Sequence, residues 1–135
     1  MMQFFWYALM AVLPIVYGSA DLALVVRMLA VAAVCLVLYK LIKTRAARPR
    51  PFQAHTGIQL HVLPLDQHAF PSGHTMHAVA FTLLVLAQHP ELAMLLVPFT
   101  VLVAVSRVAL GLHYPSDVVA GAALGSLIAW VSLQF

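Results

Sequence analysis

Long apolar stretches constrain this chain more than any other feature of its sequence. They lie at about residues 3–17, 22–42, 72–88, 92–110 and 116–135. A helix that crosses a bilayer needs roughly 20 mostly apolar residues. Only 8% of the 135 residues are charged, whereas soluble proteins have about a quarter, so the composition excludes a soluble globular protein. The sequence predicts an all-α protein, a polytopic transmembrane helix bundle with about five membrane helices in one domain, residues 1–135.

The first apolar stretch also has a feature of signal peptides, because the small residues Gly18 and Ala20 follow it. No lysine or arginine precedes Arg27, so the charged leading segment of a signal peptide is missing. We therefore expect a membrane helix that is retained. Cys35 is the single cysteine, which excludes a disulfide within one chain, and we expect it to be a small buried apolar residue.

Glycine and proline predict where the last two helices begin, end and pack. Gly111 is expected to end the fourth helix, and Pro115 is expected to shape the turn into the fifth. Gly121 and Gly125 form a G-x-x-x-G pair, which predicts close helix packing inside the bundle.

Basic residues are concentrated just after the second apolar stretch. Five of the seven lysines and arginines lie there: Lys40, Lys43, Arg45, Arg48 and Arg50. Such a cluster is typical of a cytoplasmic anchor under the positive-inside rule, or of a patch that contacts anionic lipid. The alternative is a site for an anionic substrate.

A long polar loop at about residues 43–70 defines one face of the predicted domain, here called the loop face. The third helix leaves this face and the fourth returns to it, so the fifth helix also begins there. Three polar clusters therefore converge on the loop face: KTRAARPRP (43–51), PSGHT (71–75) and SRVALGLHYPSD (106–117). The opposite face is predicted to keep only Asp21, Arg27, His89 and Glu91.

Three cations on the loop face suit a group that carries several negative oxygens. Lys43, Arg50 and Arg107 supply the charge, and arginine offers a planar fork that matches phosphate. Ser72 is a good N-cap for the third helix. The backbone N–H of Gly73 then points toward an anion at the helix N-terminus, and the missing side chain permits close approach.

Two histidines and a carboxylate on the same face add reactive groups. Asp117 falls in the first turn of the fifth helix, near enough to orient the His113 imidazole and leave its other nitrogen for attack. His74 is a second imidazole, able to protonate a leaving oxygen. Taken alone, each residue has an ordinary explanation as an interface residue, a favourable helix-terminal charge or, for Arg107, a membrane anchor. Their joint placement favours a phosphotransfer site.

These clusters resemble the three-part signature of the type 2 phosphatidic acid phosphatase family, K-x6-RP, PSGH and SR-x5-H-x3-D. The resemblance covers roughly residues 40–125. Every signature position is present: Lys43, Arg50, Pro51, Pro71, Ser72, Gly73, His74, Ser106, Arg107, His113 and Asp117.

The resemblance implies a lipid phosphatase that uses no metal and no cofactor. The three cations would bind phosphate together with Ser72 and the Gly73 backbone. His113 would form a phosphohistidine intermediate while Asp117 orients it, and His74 would protonate the leaving group. Undecaprenyl diphosphate is the first expected substrate, followed by phosphatidylglycerophosphate and phosphatidic acid. The expected partners are such a lipid and the bilayer, with no nucleic acid. Soluble acid phosphatases and vanadium-dependent haloperoxidases share the signature, but the apolar composition excludes them.

One departure from the family concerns the number of helices, since integral members commonly have six and this sequence predicts five. How lipid enters is therefore open, as is a homo-oligomer in which a second protomer covers the exposed face. The resemblance places the protein in the bacterial inner membrane with its loop face toward the periplasm. The positive-inside rule places the same face in the cytoplasm.

Other hypotheses remain for the same residues. Convergent cations also suit a membrane subunit that binds anionic lipid or transports a small anion, and a third hypothesis is a related fold without activity. A metal site formed by His77 and the loop histidines is disfavoured, because the spacing is not that of a zinc site. The roles of the remaining histidines stay open: His55, His61, His68 and His77.

Overall fold

Helices make up the whole regular structure of the residues that this computed structural model describes, which are 2–46, 72–111 and 114–135. In chain order the α-helices are α1 (Met2–Tyr17), α2 (Asp21–Ala46), α3 (Gly73–Gln88), α4 (Ala93–Ala109) and α5 (Pro115–Ser132), and a 3-10 turn, Pro90–Leu92, precedes α4. The all-α prediction is confirmed. Most of the predicted loop lies outside the described residues, and so do the predicted site residues Arg50 and His113.

The prediction was wrong about where the second helix ends. We placed its end at residue 42 and the loop from 43, but α2 continues through Ala46. Lysine and arginine are good helix formers, and cations in the last turn, Lys43 and Arg45 here, favour the negative end of the helix dipole. Lys43 therefore projects from a regular helix instead of a loop.

Among the described residues, three helical segments are long and apolar enough to cross a bilayer unaided: Asp21–Arg45, Pro90–Ala109 and Pro115–Ser132. The helices α1 and α3 are shorter, with 16 residues each. The third helix is the most enclosed, since half of its positions are buried and it packs against α2, α4 and α5. A short central helix shielded by longer neighbours satisfies its backbone internally, as a membrane requires. The chain is an integral membrane protein.

The contact between α3 and α5 is the most extensive in the described bundle, and glycine makes it possible. A Cβ atom built on Gly121 would lie 2.5 Å from the carbonyl oxygen of Ser72. A Cβ atom on Gly125 would overlap the carbonyl oxygen of Met76, one turn further along α3. The two backbones therefore touch over a full turn, and the G-x-x-x-G prediction is confirmed.

Aromatic side chains attach α1 to the rest of the bundle. Phe5 stacks on Phe99 of α4 with ring centroids 3.9 Å apart, and the Trp6 ring meets Phe81 of α3 edge-on at 5.2 Å. Trp6 is buried. Cys35 of α2 is also fully buried, which confirms its prediction as a core residue.

The face opposite the loop face carries its own polar contacts, as the count of membrane crossings predicts. Asp21, at the start of α2, accepts a hydrogen bond from the Gln88 amide at 2.8 Å and pairs with the His89 ring at 2.6 Å. The His89 ring stacks on Tyr17. Arg27 donates to the carbonyl oxygen of Ser132 at the end of α5. These bonds give partners to polar groups that would otherwise be costly at the membrane.

We expect Gly125→Ala to destabilise the bundle by about 1–3 kcal/mol, since the new methyl group meets backbone atoms that have no room to move. The measurement is the free energy of unfolding in mixed micelles, by titration with a denaturing detergent. Ala123→Val is the matched control, because it adds more volume two residues away at an exposed position of α5. Equal stability of Gly125→Ala and the wild type would show that α3 and α5 are not in backbone contact.

Candidate active site

The start of α3 is held by a serine cap. Ser72 has extended backbone angles, φ −77° and ψ 105°, and its hydroxyl oxygen accepts the Thr75 N–H at 3.4 Å. The same hydroxyl donates to Thr75 Oγ1 at 2.9 Å. Ser72 and Thr75 are both buried. The N-cap prediction is confirmed. Direct contact of the Ser72 hydroxyl with phosphate stays a prediction, since the bonds seen for this hydroxyl are those of the cap.

Asp117 lies against that helix start. It is fully buried in the first turn of α5, and its Oδ2 atom accepts the backbone N–H of Tyr114 at 2.6 Å. Its carbonyl oxygen accepts the backbone N–H of Ser72 at 3.1 Å. This bond ties the N-terminal ends of α3 and α5 together, so the positive ends of two helix dipoles converge on one spot.

Tyr39 forms the wall on the α2 side. A Cβ atom on Gly73 would lie 3.0 Å from the Tyr39 ring, so the missing side chain lets this ring pack on the first turn of α3. The Lys43 ammonium lies 5.1 Å from the centroid of the same ring, within the range of a cation–π interaction. Tyr39 thus connects the predicted phosphate ligand on α2 with the glycine on α3.

A cavity of about 530 Å³ opens between α1, α2 and α3. Its polar lining lies toward the loop face and consists of Tyr39, Lys40, Lys43, Gly73, His74 and His77. The rest of its lining is almost wholly apolar: Trp6, Tyr7, Met10, Leu29, Ala32, Ala33, Leu36 and Phe81. The cavity therefore offers a charged end and an apolar body, as a site for an amphipathic molecule requires.

The end of α4 reaches the same face. Arg107 lies in its last turn and is partly buried, and Ser106 bonds back to the carbonyl oxygen of Val103 at 2.8 Å. Gly111 adopts φ 77° just after the helix, which confirms the predicted stop. Tyr114 is the N-cap of α5.

The described members of the predicted site lie at the loop-face ends of their helices. Lys43, Gly73 and His74 line one cavity, a backbone bond joins Ser72 to Asp117, and Arg107 is at the same ends of the helices. Within the described ranges, no three histidine, cysteine or acidic side chains are grouped as a metal site requires.

Two contributors to this arrangement were missed by the sequence reasoning. Tyr39 precedes Lys43 by four residues, a spacing that puts both on one face of a helix. This spacing could have indicated that Tyr39 lies beside the predicted phosphate ligand. Thr75 was overlooked because its role as the partner of Ser72 depends on a side-chain rotamer that spacing does not reveal.

The chain is similar to a known protein family over most of its length. The profile of the PAP2 superfamily matches residues 22–135. Undecaprenyl-diphosphatase BcrC of Bacillus subtilis is 38% identical over 104 residues, which are 74% of this chain and 49% of that protein. Lipid A 1-phosphatase of Rhizobium etli is 34% identical over 101 residues, covering 72% of this chain and 42% of that protein. The chain thus spans about half the length of the curated relatives it matches.

A solved structure is similar over nearly the whole chain. The crystal structure of Aquifex aeolicus LpxE superimposes with a TM-score of 0.82 at 25% sequence identity. The match covers 98% of this chain and 78% of that one. The helix bundle described above is therefore the arrangement found in a solved relative.

We expect Ser72→Ala to destabilise the protein by about 1 kcal/mol, since the start of α3 loses its cap. The buried Thr75 hydroxyl loses its partner as well. The measurement is again detergent-titrated unfolding. Thr44→Ala is the matched control: its exposed hydroxyl bonds only to carbonyl oxygens of its own helix, at 3.0 Å, and we expect a change within about 0.5 kcal/mol. Equal losses in both variants would contradict the assignment of Ser72 as the cap.

Proposed function

The chain belongs to the PAP2 superfamily, and from that membership we propose that it is a lipid phosphatase of the membrane. Its substrate would be a lipid phosphate or diphosphate whose head group enters the loop face while the tail stays in the bilayer. Undecaprenyl diphosphate is our first candidate, followed by phosphatidylglycerophosphate and phosphatidic acid. A relative 38% identical to this chain is an undecaprenyl-diphosphatase, which supports that order.

One observation carries the proposal, namely that the charged end and the apolar body belong to the same cavity. Lys43, Gly73 and His74 line its polar end and Phe81 lines its depth. A phosphate alone would need no apolar chamber, and an apolar lipid alone would need no cations. An amphipathic phosphate ester uses both.

The first chemical step begins with the phosphate bound by Lys43, Arg50 and Arg107. Their charges and the N–H groups at the start of α3 neutralise the equatorial oxygens in an in-line transition state. The free imidazole nitrogen of His113 attacks phosphorus, and the bond from phosphorus to the leaving oxygen breaks. His74 gives a proton to that oxygen. The products are the dephosphorylated lipid and a phosphohistidine.

Asp117 orients the nucleophile in this scheme. One of its carboxylate oxygens accepts the Tyr114 N–H, which fixes the carboxylate, and we assign this carboxylate to the ring N–H of His113. That bond would fix the tautomer and stabilise the charge that develops on the ring. The complete burial of Asp117 strengthens such a bond, because screening by water is weak there.

The second step returns the enzyme to its starting state. Water attacks the phosphohistidine, His74 takes the water proton, and the bond between phosphorus and His113 breaks to give inorganic phosphate. Cationic side chains supply the charge neutralisation in both steps, so we propose that no metal and no cofactor takes part.

We propose that the loop face is periplasmic. The positive-inside rule argues against this orientation, because Arg45 and Arg48 remain on that face when the cations of the substrate site are set aside, and the proposal follows the family resemblance instead. Lys40 and Lys43 line the cavity, so their positions are explained by a substrate site. The opposite face has Arg27 as its cation, bonded to the end of α5.

We expect the purified protein in detergent to release inorganic phosphate from at least one of the three lipids in the presence of EDTA. His113→Ala should reduce the rate by at least about a thousandfold, as the loss of a nucleophile does. The measurement is phosphate release by wild type and variant, with equal monodispersity on size exclusion.

The matched control is Gln134→Ala, which removes a polar side chain at the opposite face and should leave the rate unchanged. No release from any lipid by well-folded protein would contradict the phosphatase, and retained lipid binding without turnover would favour an anion-binding or transporting subunit.

A further inference from the structure

A second polar layer lies one helical turn deeper in the cavity than the predicted catalytic layer. Lys40 precedes Lys43 by three residues on α2, which runs toward the loop face. His77 follows His74 by three residues on α3, which runs away from it. All four line the same cavity. The Lys43 ammonium and the Gly73 backbone beside His74 both lie near the Tyr39 ring. Three residues correspond to about 4.5 Å along a helix, so Lys40 and His77 lie at similar depths on two walls of the cavity.

The His77 ring is fixed in orientation. Its Nδ1 atom lies 2.8 Å from the carbonyl oxygen of Gly73, and a carbonyl can only accept, so Nδ1 carries the proton. The ring also packs edge-on against Phe81 at 5.8 Å. The Nε2 atom is therefore the one assigned to a ligand: it accepts from a protonated phosphate oxygen or, in the imidazolium form, donates to an ionised one.

The lining below this layer contains no charged side chain among the described residues, and begins with Leu36 and Phe81. An ammonium group next to such a lining is stabilised by an anion at its own depth. An ordinary membrane anchor would be expected to lie on a lipid-facing surface instead of lining the site. Lys40 and Arg45 are both exposed, but Lys40 lines the cavity and Arg45, near the same helix end, does not.

We propose that Lys40 and His77 bind the lipid-proximal phosphate of a diphosphate, and that the substrate is therefore a lipid diphosphate. This inference rests on the proposed function. The terminal phosphate would occupy the layer of Lys43 and His74, and the phosphate attached to the lipid would occupy the layer below.

Lys40 would stabilise the leaving group during the reaction. When the bond from the terminal phosphorus to the bridging oxygen breaks, the leaving group is a lipid monophosphate. His74 protonates the bridging oxygen, and the charge that has built up on the leaving phosphate is shared with Lys40. The Lys40 ammonium therefore lowers the barrier to hydrolysis of a diphosphate. A monoester has no second phosphate at that depth for the ammonium to stabilise.

The test compares farnesyl diphosphate with farnesyl monophosphate, which carry the same tail. Wild type should have a kcat/KM at least about tenfold higher for the diphosphate, as one charge-assisted contact provides. Lys40→Met should reduce kcat/KM for the diphosphate at least tenfold more than for the monophosphate, and Lys40→Arg should restore most of the difference. Arg45→Gln is the matched control, since it removes a charge near the same helix end outside the cavity.

A second comparison uses only the wild type, so it tests the proposal even if Lys40→Met does not fold. Methylenediphosphonate should inhibit wild type competitively, with an inhibition constant at least tenfold lower than that of methylphosphonate. Equal inhibition by both, or equal losses for both farnesyl substrates in Lys40→Met, would overturn the second subsite while leaving the phosphatase intact. Release of phosphate from neither substrate would overturn the proposed function and this inference together.

Discussion

The backbone contact between α3 and α5 is the constraint on which the rest of the site depends. Gly121 and Gly125 let α5 approach until it touches the carbonyl oxygens of Ser72 and Met76. At that separation the Ser72 N–H reaches the carbonyl oxygen of Asp117. The acid that would orient the nucleophile thus lies beside the helix start that would bind phosphate. A larger residue at either glycine would separate two parts of the predicted chemistry.

The two membrane faces use their few polar residues differently. On the face opposite the loop, the Asp21 carboxylate is paired with His89 and Gln88, so its polar atoms have partners within the protein. On the loop face, Lys40 and Lys43 line an open cavity together with His74. Polar groups in a membrane protein are costly unless they are paired or functional. The first face fits a structural role, and the second fits the binding of a charged ligand.

Sequence reasoning recovered the helices and their faces because its signals are periodic and local. Apolar length gave the membrane helices, Ser72 and Gly111 marked helix ends, and the number of crossings placed Arg107 and Asp117 on one face. The end of α2 was misplaced because polarity and helicity were treated as one property, whereas Lys43 is polar and still helical.

The cavity itself could not be predicted from the sequence, since it depends on how α1 leans on α2 and α3. The pairing of Tyr39 with Gly73 was missed for the same reason. For Lys40 and His77, spacing indicated only which helix face each shares with its neighbour. That both residues line one cavity depends on how the helices pack.

We propose that the packed ends of α3 and α5 make His113 a nucleophile toward phosphorus. The most direct measurement is to mix the protein with lipid diphosphate labelled at its terminal phosphorus, quench in alkali within milliseconds, and locate the label by peptide mapping. We expect label on His113 that is stable to base and labile to acid, and no label in His113→Ala. Rapid phosphate release that persists in His113→Ala, with no labelled protein at any time, would contradict it.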